Sequence, residues 1–309
     1  MWKCVMTRSA VLAMILTPAL ASAALAQDTR PASLRVAVSV LPHAGFVERI
    51  GGEHVDVTVL VGPGQSPHAY DPTPRQLQAL SSCRLYFRAG IDFENALVPR
   101  VEKLFRDLRI VDLRSGVELR KMTAAEATAH AHEGHPHADC AHEAGAPDPH
   151  TWLSPLNARI QARTIADALT ELDPPRADLY RRNLDSFLAE LDAVHSEIAA
   201  ALAPLRGREV FVYHPAFGYF LDVYGLRQVP VEIDGKEPSA RQLASLIDRA
   251  KEAGVKVIFV QPQFPTKAAQ AVAEAIGGAV VPLDDLAKNY VANLREIAAK
   301  IQEKFKSAG

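Results

Sequence analysis

Arg176-Ala-Asp-Leu179-Tyr-Arg-Arg-Asn183-Leu184-Asp-Ser-Phe187-Leu188-Ala-Glu-Leu191-Asp-Ala-Val194-His195-Ser-Glu-Ile198-Ala-Ala-Ala-Leu202-Ala-Pro-Leu205 reads as one uninterrupted helical pattern. Leu179, Leu184, Phe187, Leu188, Leu191, Val194, Ile198 and Leu202 recur at three- and four-residue steps, the spacing of one face of an α-helix. Pro174-Pro175 closes the preceding segment, and Gly207 follows the pattern. At 1.5 Å per residue the helix would span roughly 40–45 Å, longer than most single lobes. It predicts a rigid connector between two domains.

On both sides of this helix, strand and helix patterns alternate. Before it, strands are expected over 35–41, 54–61, 84–89 and 109–113. Helices are expected over 44–50, from Thr73-Pro74 onward and over 93–108. After it, strands are expected over 209–213, 228–233, 255–260 and 279–283, with helices over 216–224, 239–253, 266–276 and 289–306. Thr73-Pro-Arg-Gln76 and Ser239-Ala-Arg-Gln242 read as capping boxes, and Ser154-Pro155 as a cap followed by a first-turn proline. Strands separated by helices imply a parallel sheet covered on its faces. The expected class is α/β, with two similar lobes, each a mainly parallel sheet flanked by helices. The boundaries follow: an N-terminal lobe over 33–153, a helical connection over 154–205 and a C-terminal lobe over 206–309.

The bulk properties narrow the function. Lys3 and Arg8 precede an apolar stretch from Ala10 to about Ala26 that ends Ala24-Leu25-Ala26. A basic start, a short apolar run and an Ala-x-Ala end describe a secretory signal peptide over 1–26. The mature protein is expected to be exported, periplasmic, soluble and monomeric. A formal net charge of -2 without a basic block excludes nucleic acid as a partner. Without Cys4, which leaves with the leader, the chain keeps Cys83 and Cys140, too few for a disulfide framework. Cys83 is expected as a buried free thiol; Cys140 could bind metal, and a Cys83–Cys140 bridge is the alternative.

Six of the 11 histidines fall between His130 and His150. His130, His132, His135, His137 and His142 lie in a loop over 126–146 with no apolar period and several glycines and prolines. Such a tract offers ligands for borderline and soft divalent metals but fixes no geometry. Three further histidines stand in proline-flanked turns: His68 in Pro67-His68-Ala-Tyr-Asp-Pro, His150 in Asp148-Pro-His150-Thr-Trp152, and His214 in Tyr213-His214-Pro-Ala-Phe217. His68 and His214 follow strands directly, as do Asp284 and Asp285. Ligands of open α/β sheets bind outside the carboxyl ends of strands. Lobes facing each other edge to edge would bring these groups together.

Those segments, with Gly235-Lys-Glu-Pro-Ser239, resemble in order the zinc/manganese solute-binding proteins of ABC transporters, over essentially the whole mature chain. The resemblance implies two α/β lobes joined by a long rigid backbone helix, with the metal between them. It implies His68, His150 and His214 as metal ligands. A fourth ligand, when the protein supplies one, is a carboxylate after a strand near the C-terminus. Asp284 of Leu283-Asp284-Asp285-Leu286 matches that place, with Asp285 or a water as alternatives. A His-rich loop between the first two ligand motifs resembles the zinc-importing branch. Three imidazoles favour Zn²⁺ over Mn²⁺, which prefers oxygen donors. The five tract histidines are then auxiliary, weak metal binders.

The expected function is an exported receptor that captures Zn²⁺ and delivers it to an ABC permease driven by a cytoplasmic ATPase. The chain has no phosphate-binding loop or spanning segment to drive transport itself. The rigid helix predicts release by local loop rearrangement. Competing readings are a manganese-type receptor of the same family, a metal-dependent adhesin and a periplasmic zinc enzyme. The enzyme reading lacks a His-Glu-x-x-His motif and a glutamate beside any ligand histidine. Around the site, Asp71 and Asp148 are equally suited to orient ligand imidazoles or to form turns before proline. Tyr70, Trp152 and Phe217 could exclude water or simply pack. His43 is expected to pack rather than reach the cleft, and His54 and His195 to lie at the surface.

Overall fold

In the first half, β1 (Leu34–Val38), β2 (Val55–Val59), β3 (Leu85–Arg88) and β4 (Arg109–Asp112) form a four-stranded sheet in the order β2-β1-β3-β4. In the second, β5 (Glu209–Val212), β6 (Arg227–Pro230), β7 (Val257–Val260) and β8 (Ala279–Pro282) repeat it as β6-β5-β7-β8. Every pairing is parallel. The computed structural model describes residues 1–2, 33–130, 144–232, 240–264 and 266–307. Ala32–Gly309 forms one compact unit. The leader, the tract from 131 to 143 with Cys140, and Gly235–Ser239 with its capping serine fall outside the described residues.

Helices supply the crossovers that parallel strands require. They are α1 (Leu41–Gly51), α2 (Pro74–Leu80) and α3 (Phe93–Leu104) in the first half, and α7 (Gly218–Val223), α8 (Ala240–Glu252) and α9 (Lys267–Ala275) in the second. Local chemistry fixes their ends. Thr73 and Gln76 form the expected capping box at α2, and Ser154 Oγ accepts the Asn157 N–H at the start of α5 (Pro155–Leu172). The sequence pattern ran the first strand to Leu41 and began the helix at Ala44. In the structure β1 stops at Val38 and α1 starts at Leu41, because Pro42 sits well in a first turn but cannot donate to a ladder. Gly52, at φ 59°, ends α1 in a conformation that L side chains rarely adopt.

Helix α4 (Ala124–His130) is a departure from expectation, because its residues from 126 on were read as loop. The Glu126 N–H donates to Thr123 Oγ1 and the Thr123 N–H to Glu126 Oε2, a reciprocal cap in Thr123-Ala-Ala-Glu126. The far foot of the tract returns beside it. The Met122 N–H donates to Ala146 O at 2.9 Å, the Gly145 N–H to Met122 O at 3.0 Å, and Lys121 bridges Pro147 in antiparallel sense.

The connector is α6 (Ala177–Leu202), 26 residues and thus about 39 Å long. Short 3₁₀ turns at Pro174–Arg176 and Ala203–Leu205 take the remainder of the predicted span. Its buried face carries Tyr180, Phe187, Leu191, Val194, Ile198 and Leu202. These belong to one continuous apolar cluster that takes in Val36 and Val38 of β1, Val210 and Val212 of β5, and Leu294 and Ile297 of α10 (Tyr290–Ser307). The connector therefore shares a core with both sheets, and separating the halves would expose that face. Phe187 packs against Phe46 of α1, ring centroids 5.3 Å apart. Phe187→Ala should destabilise the protein by about 3–5 kcal/mol, read as a lower urea midpoint with an unchanged slope.

Candidate metal centre

Three loops place the three histidines. His68 sits in the 3₁₀ turn Pro67–Ala69, whose preceding Ser66 accepts the His68 N–H at 3.3 Å. His150 directly precedes the turn Thr151–Leu153 that leads into α5. His214 follows β5, and its main chain is held on both sides by Gln261. The His214 N–H donates to Gln261 Oε1 at 3.2 Å, and Gln261 Nε2 donates to His214 O at 2.6 Å. The relative exposures of His68, His150 and His214 are 5%, 0% and 0%.

Their Nε2 atoms converge. His68 to His214 is 3.0 Å, His68 to His150 3.2 Å and His150 to His214 3.3 Å. A tetrahedral ion with metal–nitrogen bonds of about 2.0–2.1 Å needs nitrogen–nitrogen edges of about 3.3–3.4 Å. The observed edges lie at or slightly below that range.

The far side of two rings fixes which nitrogen carries the proton. His150 Nδ1 donates to Asp148 Oδ1 at 2.9 Å, and His214 Nδ1 donates to Glu232 Oε1. With hydrogen on Nδ1, each Nε2 presents a lone pair to the centre. Asp148 fills both of the roles open to it, since the same Oδ1 also accepts the His150 N–H at 2.9 Å as a turn. Glu232 was not picked out from the sequence. The available signal was an acid in Val229-Pro-Val231-Glu232-Ile233, an apolar run ending at the ligand edge of the sheet. Burial pushes the Glu232 carboxyl well above the usual carboxylate range, and a nearby cation would favour its ionised form.

Among the described residues, the group of mutually close ligand atoms holds these three histidines and no carboxylate. Asp284 is half-buried and turned to the local loop, where Oδ1 accepts the Leu286 N–H at 2.8 Å. The structure thus does not bring Asp284 to the imidazoles as expected; a loop turn holds its carboxylate instead. Asp285 is the buried member of the pair, at 2% exposure, with Oδ1 accepting Gln263 Nε2 at 2.8 Å. Burial raises its carboxyl to about 6, opposed by the Gln263 hydrogen bond and by the charge of His150.

Aromatic rings wall the centre. Phe264 stacks on His214 with centroids 4.8 Å apart and planes at 22°, and Trp152 meets His150 edge-on at 5.4 Å. The Trp152 indole N–H donates to Asp285 O at 2.8 Å. Tyr70, Trp152 and Phe217 are all buried. His54 and His195 are partly buried, and His195 Nδ1 meets the Tyr224 hydroxyl at 3.2 Å. Cys83 is a buried free thiol that donates to Ala79 O at 3.4 Å. Of the tract, only the backbone of His130, at the end of α4, is described; the side chain of His130 and all of His132, His135, His137 and His142 lie outside the described residues.

The family model described as "Zinc-uptake complex component A periplasmic" matches residues 36–304. The chain belongs to this family of periplasmic metal-binding solute receptors. It is 28% identical over 263 residues to the "High-affinity zinc uptake system protein ZnuA" of Bacillus subtilis, covering 84% of this chain and 80% of that one. A crystal structure of ZnuA overlays with a TM-score of 0.79 at 38% identity, covering 88% of this chain and 99% of the other. A second ZnuA structure, of a variant deleted for 138–173 with zinc bound, overlays with a TM-score of 0.77 at 38% identity, covering 88% and 98%.

His43 is fully buried, edge-on to Phe46 and Trp152, and burial lowers its pKa to about 3, a shift partly offset by Gln161. An unfolded chain with an ordinary histidine near 6.5 binds the proton that the folded one refuses, so this group favours folding above pH 6.5 and loses that contribution as pH falls below it. The metal-free protein should lose about 1.4 kcal/mol per pH unit from this group between pH 6 and 4. His43→Leu should flatten the stability–pH curve in that window, as measured by urea unfolding.

Proposed function

We propose that this protein captures Zn²⁺ outside the cytoplasmic membrane with His68, His150 and His214, and delivers it to an ABC permease driven by a cytoplasmic ATPase. The observation that carries the reading is the triangle of buried Nε2 atoms, 3.0–3.3 Å apart. Three nitrogen donors suit Zn²⁺ better than Mn²⁺. Membership of a zinc-uptake family supports the same choice. Among the described residues no helix is long and apolar enough to cross a membrane, so transport falls to partner subunits. Export follows from the leader at 1–26, and the receptor works as a monomer.

The fourth position goes to Asp285 or to a water, in preference to Asp284. Asp285 is buried, and its carbonyl is held by the indole of Trp152, which lies edge-on to His150. The two carboxylates hydrogen-bonded to ligand rings, Asp148 and Glu232, are engaged in orienting them, which favours a holding site over a hydrolytic one. The tract histidines collect additional zinc weakly, because ordering an exposed segment costs entropy that a preformed site avoids.

Competitive zinc titration of the mature protein tests this reading. Alanine at His68, His150 or His214 should each remove the tightest site. Deleting 131–143, which leaves Glu126 and the pairing of Met122 with Gly145 and Ala146 in place, should remove weaker sites and leave the tightest one intact; its loss on deletion would transfer the site to the tract. Glu232→Gln and Asp148→Asn should each weaken zinc binding by about 10–100-fold, through the orientation and basicity of the ring behind them. Asp285→Ala should weaken binding more than Asp284→Ala if the carboxylate completes the shell, and neither should matter if water does.

A further inference from the structure

Arg120 lies between β4 and α4, outside every motif that marks the metal site. Its guanidinium is 13% exposed and meets three carboxylates from three separate segments. Nη1 donates to Asp148 Oδ2 at 3.1 Å, Nη2 to Glu126 Oε1 at 2.7 Å and Nε to Asp222 Oδ2 at 2.6 Å. Asp148 is the residue whose other oxygen holds His150. Asp222 belongs to α7, the helix that begins four residues after His214. Glu126 is the capping residue of α4 at the foot of the tract and also accepts Gln228 Nε2 of β6 at 2.8 Å. One side chain therefore ties the loop of His150 to the helix that follows His214.

The main chain reinforces the same junction. The Asp148 N–H donates to Arg120 O at 2.9 Å, the Arg120 N–H donates to the Tyr219 hydroxyl at 2.9 Å, and that hydroxyl donates to Asp148 O at 3.1 Å. The approach of α7 depends on a missing side chain. A Cβ on Gly218 would lie 2.6 Å from Arg120 Cζ and 2.7 Å from Asp148 Oδ2, closer than real side chains pack. Burial alone would raise the Glu126 carboxyl, but Arg120, the Thr123 N–H and Gln228 together hold it below the usual carboxylate range. The cluster is thus charged on both sides. Its outer end is accessible, since the Asp222 side chain is 52% exposed.

We propose that Arg120 is a positioning residue for metal retention, a latch that clamps the Asp148–His150 loop against α7 and must loosen for the metal to leave. The inference rests on the assignment of zinc to the three histidines. An ion held by donors from separate loops leaves only when one of those loops withdraws. The Arg120 junction opposes that withdrawal for the His150 loop without touching the metal. Lysine keeps the charge but lacks the planar fork needed to meet three carboxylates at once.

Stopped-flow release of Zn²⁺ to an excess of chelator, with association rates measured separately, tests the latch on the full mature protein. Arg120→Lys should speed dissociation about tenfold or more while association stays within about twofold, because the lost contacts hold the bound state rather than guide entry. Asp222→Asn, an exposed change that leaves the core alone, should speed it by about two- to fivefold, the scale of a partly exposed ion pair. Gly218→Ala should act in the same direction. The Arg120→Lys/Asp222→Asn double variant should release zinc less than additively, since both changes break one contact. Dissociation within about twofold of the unaltered protein in Arg120→Lys, or strictly additive effects in the double variant, would overturn the latch even if thermal stability fell. His214→Ala serves as the separate control: if it releases zinc at the unaltered rate, the zinc site itself is misassigned.

Discussion

Three imidazole nitrogens converge to within 3.3 Å of one another, withdrawn from water, and the lone pairs of His150 and His214 meet there. A single cation at that point can take a lone pair from each ring, and the surrounding structure holds the three nitrogens in place. Asp148 and Glu232 hold the protons on the outer nitrogens, Gln261 clamps the main chain of His214 on both sides, and Phe264 and Trp152 fix two of the rings. A dication also answers the charge of the two buried carboxylates behind the rings.

The rigidity needed for this comes from the connector. Its buried face enters the same apolar cluster as both sheets, so the halves cannot drift apart without exposing Phe187, Leu191 and Val194. The histidines themselves sit on loops rather than on this core. The Arg120 junction sits among them, outside the shared core, where charge–charge contacts can be broken one at a time.

Much of this was legible in the sequence because the signals were local. The period of 176–205 gave the connector, and the alternation of strand and helix on both sides gave the parallel sheets. Proline-flanked turns singled out His68, His150 and His214, and the family resemblance is what implied them as ligands. What stayed hidden depends on contacts distant in the chain. Glu232 lies 18 residues from His214, and no spacing rule links an acid after one strand to a histidine after its neighbour. Arg120 meets Asp222 across 102 residues. Which of Asp284 and Asp285 a loop buries is a matter of a single backbone step, and no local pattern marks it. Helix α4 is local yet lies outside the expected elements: the reciprocal cap of Thr123-Ala-Ala-Glu126 starts a helix at the edge of a tract whose composition signals loop.

The identical strand order of the two sheets invites the thought that either half could stand for the other. The donors say otherwise. His68 follows β2, an outer strand, whereas His214 follows β5, an inner one, and His150 comes from the segment between the last strand of the first sheet and the connector. A pair of first halves would present His68 twice, and a pair of second halves His214 twice. Neither pairing could supply one of each at a common point. The repeated scaffold is symmetric in plan, but this set of three donors belongs to the single continuous chain.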